Sequence, residues 1–126
     1  MSDGRIKDID QEVLPVFMEE VADFLDYLGR ETSILRVRKR IGELDTSCRQ
    51  VGARTIAART SSALSAIATA SEIDLRVVIE VRELTWAIVQ EAQEASALTG
   101  INFNGGVVEL KVAKPVKVEK PWWQVW

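Results

Sequence analysis

The chain has 126 residues, a net charge of −3 and 47% hydrophobic content, which suits one domain with a genuine core. It contains no histidine and a single cysteine, Cys48, so Ser-His and Cys-His nucleophile systems, the commonest zinc ligand sets and an internal disulfide framework are excluded at once. The acidic balance also argues against a general electrostatic attraction to nucleic acid or anionic lipid.

Charge is unevenly distributed. Residues 1–30 carry eight acidic and three basic side chains, whereas residues 31–60 carry seven basic and three acidic, so the two segments should attract each other. The first residues lack a long apolar run behind the basic side chains, and no later segment offers the ~20 apolar residues of a spanning helix. A soluble chain is expected, in the cytoplasm or in a particle assembled there, with no membrane contact.

Asp8 or Asp10 is placed to cap a first helix in which Leu14, Phe17, Met18, Val21, Leu25 and Leu28 recur at three and four residues. Pro15 fits only in its first turn. Glu12, Glu19, Glu20, Asp23 and Asp26 form the opposite, solvated face, and Gly29 stands where a left-handed terminator would sit. Phe17, Phe24 and Tyr27 read as core aromatics.

From Ile34 the spacing becomes a heptad seam: Ile34, Val37, Ile41, Leu44, Cys48, Val51, Thr55 and Ala58. Arg40 and Asp45 would pair across a parallel dimer in this register, while Arg54 and Arg59 would repel, so the charges leave orientation open. An intramolecular bundle fits the seam equally well. In the seam, Cys48 reads as a buried structural thiol. The seam weakens toward Thr55 and Ala58, with Gly52 beside it, and the small residues from Ala53 to Ala70 favour close helix approach.

Ser71 followed by Asp74 resembles a capping box and predicts a new helix from Glu72, against the alternative of one continuous helix over 31–97. Residues 72–97 are the most hydrophobic helical segment. Val77, Val78, Val81, Leu84, Ile88, Val89 and Ala92 make a broad stripe, which Leu75, Ile79 and Trp86 extend around the side. A helix apolar over that much of its circumference belongs at the middle of a bundle or at an oligomer seam. The β-branched residues at 75–81 would also permit a strand.

Gly100 predicts the end of this helix. Ile101 and Phe103, then Val107 to Ala113, flank Asn104-Gly105, a strong hairpin signal. Val108, Leu110 and Val112 would share one face, and the alternation resumes at Val116, Val118 and Trp122 beyond Pro115. The expected architecture is therefore mainly α: a three- or four-helix bundle or coiled-coil body over 1–99, with helix breaks near Gly29 and Ser71, and a short β-hairpin or extended tryptophan-rich arm over 100–126.

No motif specifies a reaction, a cofactor or a metal, and no catalytic, cofactor-binding or metal-binding residue is assigned. The favoured function is a non-enzymatic structural or adaptor subunit of a homo-oligomeric assembly with other protein subunits. Its interface would draw on Val77, Val81, Leu84 and Ile88 in the helix and on Val116, Val118, Trp122, Trp123 and Trp126 in the arm, because tryptophans anchor interfaces well. Ring and tube components of phage particles and similar machines share this architecture, which makes a virion component the expected setting. Two alternatives stand beside it. One is a small nucleic-acid-associated regulator using the basic helix 36–59, with Arg36, Lys39, Arg40 and Arg49 at phosphates. The other is a monomeric partner-binding module whose arm folds back on its own bundle.

Overall fold

The computed structural model describes residues 4–112. A 3-10 turn, Ile6–Asp8, precedes four helices: α1 (Leu14–Gly29), α2 (Ile34–Val51), α3 (Arg54–Ile67) and α4 (Leu75–Thr99). In this helical bundle α1 packs on α2, α2 on α3, α3 on α4, and the 3-10 turn against α4. Among the described residues no helix is long and apolar enough to cross a membrane.

The acidic residues before α1 organise turns. Asp8 accepts the amide of Arg5 at 3.2 Å and Asp10 that of Glu12 at 2.9 Å. The helix itself starts at Leu14 with Pro15 in its first turn, where a missing N–H costs nothing. Leu14, Phe17, Met18, Val21, Phe24, Leu25 and Leu28 are all buried. Tyr27 is not: it stands 47% exposed, and the Arg40 guanidinium lies 4.9 Å from its ring centroid. Gly29 is the last helical residue, but it does not adopt a positive φ, and the cap after it is ordinary right-handed Arg30.

The heptad seam is interrupted where its spacing gives no warning. Gly52 takes φ +83°, and its amide and that of Ala53 both converge on the Cys48 carbonyl, closing α2 in a left-handed cap. Ala53 then turns inward, fully buried, and α3 begins one residue later. Ile34, Val37, Ile41, Leu44 and Cys48 are buried within the chain's own bundle, whereas Thr55 is half-buried and Ala58 exposed on α3. The partners are likewise local: Arg40 pairs with Glu31 at 3.1 Å and Asp45 with Arg49 at 3.0 Å.

Residues 31–97 are thus three helices. The second break, near Ser71, spans 68–74, and the cap of α4 is Asp74, whose carboxylate accepts the Val77 amide at 2.9 Å. Asp74 is the N-cap itself and not the third member of a box begun by Ser71, so the helix starts three residues later than Glu72. Residues 75–81 are helical. Gly100, at φ +77°, ends α4 with its amide on the Ser96 carbonyl.

No β-strand forms among the described residues. A two-residue hairpin turn at Asn104-Gly105 needs positive φ, and neither residue has it. The segment 101–112 instead runs back along α4. Ser96 Oγ donates to the Ile101 carbonyl, the Val108 amide donates to Thr85 Oγ1 at 2.9 Å, and Arg82 lies 3.7 Å from Glu109. Val108 and Leu110 are buried in the same core as the helices, while Val107, Glu109 and Lys111 point outward. Val112, expected on the buried face, is 48% exposed.

Candidate functional site

Three polar clusters and one apolar surface stand out. The first cluster centres on Glu91, a carboxylate in the apolar arc of α4 that is only 7% exposed. It accepts the Ile6 amide at 3.0 Å and the Thr55 hydroxyl at 2.7 and 2.8 Å. One buried charge therefore ties the 3-10 turn and α3 to α4. At the rim, Arg5 and Lys7 lie 2.9 and 3.5 Å from Glu94, and the Arg5 hydrogen bond holds that carboxyl below the ordinary carboxylate value.

The second cluster joins α2 to α3. Thr60 donates to Asp45 at 2.6 Å, Ser61 at 3.2 Å and Arg49 at 3.0 Å, and Arg49 also reaches Ser61 at 2.7 Å. Burial pushes the Asp45 carboxyl up, and the hydrogen bonds from Thr60, Arg49 and Ser61 with the Arg49 charge outweigh it, leaving a lowered pKa. One turn along, Cys48 is fully buried; desolvation, then the charges of Asp45, Glu20 and Glu91, push its thiol up to about 12. Such a thiol is neither a nucleophile nor available to bridge two chains.

The third cluster is basic. Arg36 and Lys39 are exposed and share a shallow concavity with Arg40, but Glu31 and Glu43 line it too. Arg40 is held by Glu31 and Tyr27. Arg49 lies apart, held by Asp45 and Ser61. The neighbouring Arg38 donates to the carbonyls of Ile67, Ala68 and Ala70 at 3.1, 3.3 and 2.8 Å, capping the negative end of α3. The four expected phosphate contacts therefore do not form one positive stripe. Among the described residues, every buried side-chain nitrogen and oxygen has a partner, and no group of His, Cys, Asp or Glu side chains is arranged to hold a metal.

The apolar surface is the outer face of α4. Val77, Val81, Leu84 and Ile88, read from the sequence as interface candidates, are 0–3% exposed inside the single chain, so their area is already covered by the bundle and by 101–112. Val116, Val118, Trp122, Trp123 and Trp126 lie outside the described residues. What α4 leaves uncovered is Leu75 at 64% exposure, Ile79 at 36% and Trp86 at 56%. At 100° per residue, Leu75, Ile79, Arg82, Glu83, Trp86 and Gln90 fall within an arc of about 100°. Every one of them is exposed. Trp86 forms one wall of a concavity completed by Arg59, Arg82 and Glu83.

Sequence patterning placed Leu75, Ile79 and Trp86 at the side of the buried stripe. Helical angles measured from Val81 and Ile88 separate them: those three project from the opposite side of the helix. No family model, curated protein or solved structure matches this chain.

Proposed function

We propose that the chain is a non-enzymatic structural or adaptor subunit of a homo-oligomeric assembly, such as a particle or a multi-subunit machine. The observation that carries this reading is the exposed Leu75–Ile79–Trp86 face of α4. A large aromatic flanked by two aliphatic residues on a rigid helix is the composition of an interface anchor, and leaving it in water forgoes ~25 cal/mol per Å² of apolar area. The buried arc of the same helix is filled, so this face presents itself without any unfolding.

Residues 114–126 supply a second contact in this reading. Val116, Val118, Trp122, Trp123 and Trp126 dock on a neighbouring subunit, while the preceding stretch stays fixed to its own body through Val108 and Leu110. Phosphate binding is not favoured, because Arg38, Arg40 and Arg49 are engaged by carbonyls and carboxylates of their own chain. Sedimentation velocity over a concentration series tests the proposal. A species heavier than the 14.1 kDa chain that grows with concentration supports it, and a 14.1 kDa species throughout overturns it.

A further inference from the structure

We infer that the outer face of α4 packs antiparallel against α4 of a second copy, about a two-fold axis passing between Arg82 and Glu83. This inference deepens the assembly reading above and rests on it. In a two-fold helix pair the same patch meets itself in reverse, so the face must be self-complementary. It is. The register that sets Arg82 against the partner subunit's Glu83 also sets Glu83 against the partner subunit's Arg82. The same register brings Ile79 opposite the partner subunit's Trp86, and Trp86 opposite the partner subunit's Ile79.

Neighbouring registers lose this match. Moving the axis toward the C-terminal end of α4, to Trp86, stacks that ring on its own copy and leaves Arg82 facing Gln90. Moving it one half-turn the other way sets Ile79 against Arg82. A parallel pair places Arg82 on Arg82 and Glu83 on Glu83. The axis between Arg82 and Glu83 pairs both charges and sets Ile79 on Trp86, with Leu75 left opposite Gln90 at the ends of the contact, and it delivers Ile79 to the concavity walled by Arg59, Arg82, Glu83 and Trp86.

Arg82 is available for this role. Its contact with Glu109 is long, at 3.7 Å, and both side chains are about half exposed or more. A guanidinium has five donors, so pairing with a second carboxylate does not require breaking the first contact. From Leu75 to Gln90 the helix runs ~22 Å, enough for about two turns of interdigitation on each side of the axis to be shared by both copies.

A charge-swap experiment tests the geometry. Arg82→Glu and Glu83→Arg each create two like-charge pairs across the axis, and the double variant restores two attractive ones. Self-association measured by sedimentation equilibrium on the full chain is expected to weaken about tenfold in each single variant and to return to the wild-type value in the double. Both sites are exposed, and unchanged circular dichroism melts verify the fold. Oligomers indifferent to the single changes, or a double variant no tighter than the singles, overturn the α4 pairing while leaving the assembly reading standing. A wild-type chain that stays monomeric overturns both.

Discussion

Thr85 Oγ1 accepts a 2.9 Å hydrogen bond from the backbone amide of Val108, and the same hydroxyl donates to the Arg82 carbonyl at 3.2 Å. Thr85 is fully buried, so this is where a segment without strand partners becomes part of a helical core. Replacing the hydroxyl by a methyl in Thr85→Val keeps the volume and orphans a buried N–H. The expected loss is about 1–3 kcal/mol in urea unfolding, with faster amide exchange at Val108 than in the wild type. Unchanged exchange at that amide would show that the bond does not hold the segment.

Glu91 should be the most sensitive polar residue in the bundle. Glu91→Ala leaves the Ile6 amide unpartnered and the Thr55 hydroxyl with the Gly4 carbonyl at 3.2 Å, and about 2–3 kcal/mol of stability is expected to go with it. Glu91→Gln retains an acceptor oxygen and should lose less. A double-mutant cycle with Thr55→Val should return a clear coupling energy, since the two groups share one hydrogen bond.

Asp45 makes stability depend on acid. Its folded pKa lies below its ordinary 3.8, so above that value the ionised carboxylate stabilises the fold in full. As pH falls below 3.8 the unfolded chain takes up a proton there more readily than the folded one, and the contribution is lost as pH drops through the lower folded pKa. The stability gap between wild type and Asp45→Asn should therefore be constant above about pH 5 and narrow below 3.8. A gap independent of pH down to 2 would contradict the hydrogen-bonded arrangement with Thr60, Ser61 and Arg49.

Cys48, with its thiol pushed up to about 12 and no exposed surface, should resist a thiol reagent at pH 8 for as long as the chain is folded. Its labelling rate should rise to that of a free thiol only in denaturant. Rapid labelling of the native protein would contradict its place in the α2 core.

Much of the fold was legible locally. The three- and four-residue spacing from Leu14 to Leu28 gave α1, and Gly100 marked the end of α4. The break at Gly52 was hidden because Val51, Thr55 and Ala58 continue the seam's spacing across it, and a glycine inside a helical pattern is ambiguous without its φ. The hairpin failed for a non-local reason: the Val108 amide found Thr85 on a helix instead of a partner strand. Glu91 was visible as a charge among Ile88, Val89, Ala92 and Ala95. Its partners lie 36 and 85 residues away in sequence, beyond any periodicity. The outer face of α4 was separable by helical angle alone, since Leu75, Ile79 and Trp86 lie opposite Val81 and Ile88, and the packing of α3, the 3-10 turn and 101–112 then fixed which arc is covered.

The assembly itself is tested most directly by absolute mass from light scattering after size exclusion, on the full chain and on a version ending at Ala113. That cut preserves the core contacts of Val108 and Leu110, so the truncated chain keeps its folded body. The account predicts a defined multiple of 14.1 kDa for the full chain and a smaller assembly after truncation. A monomer in both cases would contradict it.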